Sequence, residues 1–180
     1  DLRMALQAIN RRSSGLLQFV ENYRKLQHVS QPQLENVMIG DMIADLQHLY
    51  PAPVFRYDIE NPEQMLRVDR SQIEQVLINL LKNAQEAVEN DVQQSSDNAK
   101  EPCIRLSTHL SNNKRNFIIS ITDNGKGILP EVLNRIFVPF FTTKTSGSGI
   151  GLSICKQIVT LHGGTITASS QPDEKTTFNV

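Results

Sequence analysis

Three groups of residues in this 180-residue chain have the types and spacing to do chemistry. Asp123 closes an alternating run in which Phe117, Ile119 and Ile121 share one side. Period-two alternation puts its carboxylate on the apolar side of a strand, where a charge is costly unless a donor meets it. Asp-Asn-Gly is equally a turn sequence, so this residue alone leaves both readings open. Asn79 and Asn83 stand four apart on the polar stripe of a helical pattern, with Glu86 further along it. Amide oxygens are hard ligands suited to Mg2+, which keeps several of its waters. By itself such a stripe is also just the solvated face of a helix. The third group is glycine. Gly125 and Gly127 come just after Asp123, and Gly147-Ser148-Gly149-Ile150-Gly151 stands directly before a helical pattern. Such a loop lets backbone N–H groups reach phosphate oxygens beside a favourable helix dipole. It is neither a P-loop nor the dinucleotide fingerprint, whose glycine spacing and preceding strand are absent.

These groups need elements to hold them. Ser71-Gln72-Ile73-Glu74 reads as a capping box, opening a helix with Ile73, Val76, Leu77, Leu80, Leu81, Ala84, Ala87 and Val88 on one face. Asn90 to Pro102 turns polar and reads as a solvated, mobile loop. Strands are expected at Val54 to Ile59, Cys103 to Leu110, Phe117 to Asp123, Thr165 to Ser169 and Thr176 to Val180, with a turn at Asn112-Asn113-Lys114. A helix over Leu152 to His162 ends on Gly163-Gly164. Another amphipathic helix, Val37 to Leu49, stops before Pro51-Ala52-Pro53.

The first segment is a helix with a heptad seam of Leu2, Leu6, Ile9, Ser13, Leu16, Val20 and Tyr23, which needs a partner helix. A hinge comes next, around Ser30 and Pro32. The chain starts inside the helical pattern, as expected of a fragment of a longer protein. Composition is globular, at 39% apolar and 21% charged, and a net charge of −1 offers no general basic field for nucleic acid or membrane. No apolar run approaches the ~18 residues of a membrane span. Cys103 and Cys155 lack metal-ligand spacing and are expected to be buried, reduced thiols of a cytoplasmic protein.

The order of the motifs says more than each alone. It resembles the ATP-binding domain of sensor histidine kinases, within the wider gyrase, Hsp-chaperone, histidine kinase and MutL ATPase group. Gln75 to Ala84 is similar to that family's N box, Asp123 to Ile128 to its first glycine box, Ile136 to Lys144 to its F box, and Gly147 to Leu152 to its second glycine box. His162-Gly163-Gly164-Thr165-Ile166 is similar to the helix end and strand that come after the second glycine box in the family. The likeness covers about residues 37–180.

The resemblance implies an α+β fold, a two-layer α/β sandwich, with ATP and Mg2+ as ligands. Asp123 would accept from the adenine amino group, Asn83 would coordinate Mg2+, and Asn79 would support the metal or its waters. Gly125 and Gly127, with Ile128 completing the same box, would let the backbone approach the nucleotide. Gly147, Gly149 and Gly151, with Leu152 directly after them, would line the phosphates, and Lys144 would touch one. Phe137, Phe140 and Phe141 would anchor a lid. Thr177 would stand beside the adenine-binding Asp. Ala87 departs from the family, where many members carry an aromatic residue, and Asn-Ala-x-Glu-Ala resembles the nitrogen-regulation type.

The same likeness implies that residues 1–29 are part of a dimerisation and phosphotransfer hairpin, residues 30–36 its hinge, and residues 37–180 the ATP-binding domain with a lid over about 127–151. His28, His48, His109 and His162 do not fit the phosphoacceptor, which is therefore expected upstream of Asp1 on a helix outside this sequence. The implied activity is a protein histidine kinase, with a response regulator receiver domain and a second copy of the protein as partners. Rival readings are a Ser/Thr kinase or conformational ATPase of the same fold, or a non-catalytic nucleotide-sensing module.

Overall fold

A computed structural model describes residues 2–94, 101–112, 115–144 and 147–180. In chain order the elements are α1 (Leu2–Gln27), β1 (Glu35–Met38), α2 (Ile39–Leu49), β2 (Phe55–Ile59), β3 (Met65–Val68), α3 (Arg70–Gln94), β4 (Ile104–Leu110), β5 (Phe117–Asp123), α4 (Pro130–Leu133), α5 (Gly151–Leu161), β6 (Thr167–Gln171) and β7 (Lys175–Asn179).

Alternating side chains make the sheet. Ile104, Leu106 and Thr108 of β4, and Ile119, Ile121 and Asp123 of β5, are buried on one side. The five strands run in the order β2-β4-β5-β7-β6, with β2 parallel to β4 and the other pairs antiparallel. Helices α2, α3 and α5 cover that side through Met42, Ile43, Leu46, Leu77, Leu80, Leu81 and Ile158, each at most 1% exposed. Burial of a side chain of this size is worth about 1.5–3 kcal/mol, so this layer dominates the stability. The result is the expected α+β sandwich of two layers. β1 and β3 pair separately as an antiparallel ribbon at the foot of α2.

Several boundaries differ from the sequence expectations. Val37 belongs to β1, because Gly40 and Ile39 donate back to Pro62 and Gln64 and start α2 only there. The cap of α3 is Asp69, not Ser71: Asp69 Oδ1 accepts from the Gln72 N–H at 3.1 Å and from the Ser71 hydroxyl at 2.9 Å. An aspartate three residues before Gln72 is the same signal read two positions earlier. Helix α3 runs on to Gln94, five residues into the expected polar loop. The mobility expected of residues 95–100 and the turn at residues 113–114 lie outside the described residues. Cys155 is fully buried but Cys103 only half so, and both are free thiols.

Helix α1 keeps Leu6, Ile9, Leu16, Leu17, Val20 and Tyr23 exposed, between 45% and 68%. Among its described side chains, Leu26 at its end packs on the core. Among the described residues no helix is long and apolar enough to cross a membrane.

Candidate functional site

Helix α3 is the spine of the site. At steps of four residues along one stripe it meets the three motif segments in turn. Asn79 faces the start of α5: a Cβ placed on Gly151 would lie 3.5 Å from Asn79 Oδ1. One turn on, Asn83 Oδ1 accepts from the Lys144 ammonium at 3.3 Å. One more turn on, Ala87 abuts Gly125, where a Cβ would lie 2.7 Å from the Ala87 carbonyl carbon and oxygen. At 1.5 Å rise per residue the three contacts span about 12 Å. Ala87 is thus the small residue on which the first glycine box packs.

Asp123 ends β5 at 3% exposure. Its Oδ1 accepts the Gly125 N–H at 3.0 Å. Burial pushes the carboxyl up to about 6, and the backbone donors of Gly125 and Asp123 itself only partly offset it. Among the described residues no ion pair reaches it. A buried carboxylate met only by these local backbone donors has acceptor capacity left for a ligand N–H.

The residue beside Asp123 across the sheet is Thr176, not Thr177. Thr177 pairs with Thr122, its hydroxyl 2.9 Å from that of Thr122, on the opposite side of the sheet. A shift of one residue flips the side chain through the sheet, so the position implied by the resemblance is one residue off the register that β7 adopts. Thr176 is 3% exposed and its hydroxyl meets Ser170 Oγ at 3.0 Å. Ser170 in turn accepts the Ile128 N–H at 2.8 Å. The first glycine box is therefore tied to the closing hairpin, and Gly127 is left-handed (φ 71°) where Lys126 accepts from the Asp173 N–H. Ile128 and Leu152 are half-buried against the core.

Two left-handed residues lock the second glycine box. Gly149 has φ 68°, and a Cβ there would lie 2.6 Å from the carbonyl carbon of Phe140, itself at φ 63°. Gly147 packs on Thr142, whose hydroxyl accepts from the Lys144 N–H at 3.0 Å. Ile150 caps α5 without a side-chain hydrogen bond, so the first turn of that helix keeps backbone N–H groups for an anion. Phe137 packs edge-on against Phe178, Phe141 lies under Arg135, and Phe140 stacks on Phe19 of α1 with ring centroids 5.1 Å apart.

The Lys144 ammonium also pairs with the Glu86 carboxylate. Asn83 and Glu86 thus offer two hard oxygens to one cation, a donor set that fits Mg2+. The sequence placed Glu86 on the right stripe but not with Lys144, 58 residues away. Behind Asn79, the Cys155 thiol is buried and pushed up to about 12 by desolvation, with Asn79 as a hydrogen-bonding neighbour. A cavity of about 1030 Å3 lies elsewhere, between Arg24, Ser30, Asp69 and Gln72, and holds none of the predicted residues.

Residues 68–180 match the family described as histidine kinase-, DNA gyrase B- and HSP90-like ATPases. The sensory histidine kinase/phosphatase NtrB of Rhizobium meliloti (strain 1021) is 40% identical over 116 residues, covering 62% of this chain and 30% of NtrB. The sensor histidine kinase ZraS of Salmonella typhimurium is 30% identical over 178 residues, 96% of this chain and 34% of ZraS. This chain therefore spans about a third of the length of these relatives. Among solved structures, the catalytic domain of histidine kinase ThkA superposes with a TM-score of 0.66 at 28% identity, covering 82% of this chain and 95% of that one. With the two-layer sandwich and the motif order on α3, β5 and α5, the chain belongs to the histidine kinase-, DNA gyrase B- and HSP90-like ATPase family, as a catalytic domain homologous to those of sensor histidine kinases.

Proposed function

We propose that this chain binds Mg-ATP and delivers its γ-phosphate to a histidine on a helix outside this sequence, from which it passes to a response regulator receiver domain. The observation that carries the reading is the buried carboxylate of Asp123, an acceptor set in an apolar wall at the end of β5. Such an acceptor suits the exocyclic amino group of adenine. Gly125, Gly127 and Ile128 give the base close backbone approach, and Thr176 borders the Asp.

Asn83 would hold the metal, with Asn79 one turn away to support its waters. Bound Mg2+ supplies charge neutralisation at the phosphates. Gly147, Gly149, Gly151 and Leu152 bring backbone donors to the phosphates at the start of α5, and Lys144 adds a positive charge. Phosphoryl transfer needs mainly positioning of this kind. Asn79 is an amide and cannot deprotonate water, so hydrolysis is slow.

Residues 127–151 serve as the lid, anchored by Phe137, Phe140 and Phe141. Residues 1–29 are the second helix of a dimerisation and phosphotransfer hairpin, joined by a hinge at residues 30–36 to the ATP-binding domain at residues 37–180. The exposed seam of α1 supports pairing with a second copy of the protein. The histidines support an acceptor elsewhere. His162 uses both ring nitrogens, His48 Nδ1 bonds the Ala44 carbonyl, and His109 lies in β4. The site works in the cytoplasm, where ATP is available. Calorimetric titration with ATP and ADP, with and without Mg2+, tests the reading. Saturable binding that weakens strongly in Asp123→Asn supports it, and absence of binding refutes it.

A further inference from the structure

Glu86 is the acidic side chain that the site brings beside the Asn83 oxygen. The Lys144 ammonium meets both groups, at 3.3 Å from Asn83 Oδ1 and in an ion pair with Glu86. Asn83 and Glu86 stand three apart on α3, so their side chains leave the same helix face and converge without any loop to place them. Lys144 arrives from the far end of the segment that joins β5 to α5, and its backbone is fixed by the Thr142 hydroxyl. Both members of the ion pair are well exposed, at 41% for Lys144 and 36% for Glu86. An ion pair that wet is weak and exchanges readily.

We propose that Asn83 and Glu86 form a single cation cradle, for which the Lys144 ammonium and a divalent cation compete. The inference rests on the proposed nucleotide site and adds a residue to it. A divalent ion on these oxygens repels the Lys144 ammonium that now meets both of them. A divalent ion in the cradle would therefore weaken both Lys144 contacts and leave its ammonium available to a bound phosphate. Glu86 has a second consequence. A carboxylate beside the phosphates repels a nucleotide that comes without metal and helps one that brings it. Glu86 thus makes nucleotide binding depend on the divalent ion, and it links arrival of that ion to release of the Lys144 segment.

The test is calorimetry with ADP on the whole chain, for the parent, Glu86→Gln and Lys144→Met, in Mg2+ and in chelator. Circular dichroism melting checks that each variant is folded. The parent binds more tightly with Mg2+. Glu86→Gln is expected to weaken binding with Mg2+ by about tenfold, on the scale of losing one supporting ligand. It leaves binding in chelator equal or tighter, so the ratio of the two affinities collapses by about that factor. Mn2+ alone, tracked by its electron paramagnetic resonance signal, gives an independent reading. Lys144→Met binds Mn2+ more tightly than the parent, and Glu86→Gln more weakly. ADP binding with an unchanged Mg2+ ratio in Glu86→Gln, or Mn2+ affinity that Lys144→Met does not raise, overturns the cradle while leaving the nucleotide site standing. A parent chain that binds no ADP refutes the proposed function instead, and the cradle with it.

Discussion

The backbone N–H of Asp69 donates to His162 Nε2 at 3.0 Å, joining the start of α3 to the end of α5 across 93 residues of sequence. The other ring nitrogen, Nδ1, lies 2.8 Å from the Ile158 carbonyl oxygen, so both ring nitrogens have a partner. Asp69 then does three jobs. It caps α3, accepts the Gln33 N–H at 2.9 Å, and holds the chain between α1 and β1. These donors, the Gln33 backbone first, pull its carboxyl below the usual carboxylate range. Gln72 adds a second tie, donating to the Ser30 carbonyl at 3.0 Å. The segment that enters the domain is thereby pinned to the two helices that carry Asn79, Asn83 and Gly151.

Asp69→Ala removes the cap and the tie together. The expected loss is about 1–2 kcal/mol of unfolding free energy, the scale of a helix N-cap, read from urea denaturation. Asp69→Asn keeps the cap geometry and should lose much less. Because the folded carboxyl is the stronger acid, the contribution of Asp69 is present above the ordinary range and fades as pH falls through it. A parent-minus-Asp69→Asn difference that grows on acidification contradicts this.

Asp123 behaves in the opposite sense. Its carboxyl is pushed up to about 6 from an ordinary 3.8, so the folded chain holds the proton to higher pH than the unfolded chain. The stability it allows is greatest below 3.8 and declines as pH rises to about 6, by about 3 kcal/mol at most. Asp123→Asn should therefore be the more stable protein at neutral pH, with the difference vanishing near about pH 4. The same variant should bind ADP roughly thirtyfold more weakly, since a hydrogen bond to a charged group is worth about 2 kcal/mol. In the parent, ADP affinity should fall as pH drops below about 6, because the protonated carboxyl is the weaker acceptor. A variant that is less stable at neutral pH, or that binds ADP unchanged, refutes this account.

Two glycine-to-alanine changes separate packing from ligand approach. At Gly125 a Cβ meets the Ala87 backbone at 2.7 Å, so Gly125→Ala must push the first glycine box off α3. A loss of about 1–3 kcal/mol is expected, as for other overpacked sites. At Gly151 the nearest atom is Asn79 Oδ1 at an ordinary 3.5 Å, so Gly151→Ala should fold as well as the parent. Its methyl points to Asn79, and ADP affinity should drop although melting does not. Equal melting shifts in the two variants would be inconsistent with this geometry.

Thiol labelling reads the core directly. Cys155 is fully buried, and burial pushes its thiol up to about 12, whereas Cys103 is half-buried. Iodoacetamide at about pH 8 should modify Cys103 first and reach Cys155 only on unfolding. Mass spectrometry of the native chain showing Cys155 labelled at a comparable rate would contradict the described core.

Periodicity and residue order alone carried much of this protein. The apolar face of α3, the alternation of β4 and β5, and the glycine pair closing α5 are local patterns, set by where a side chain must point to leave water. Asn79, Asn83, Asp123 and the glycines were legible because each sits at a fixed step within its own element. The tertiary structure decided the relations between elements. Thr176, not Thr177, neighbours Asp123 because strand register depends on pairing with β5. Asp69 caps α3 through its local contact with Gln72, but its ties to His162 and Gln33 come from elsewhere in the chain. The β1–β3 ribbon exists only as a pair, and neither four-residue strand has enough alternation to declare itself. Glu86 and Lys144, 58 residues apart, meet because the segment between β5 and α5 folds back over α3. Short-range sterics and burial write local structure into the sequence, whereas a contact between distant residues depends on the whole packed arrangement that brings them together.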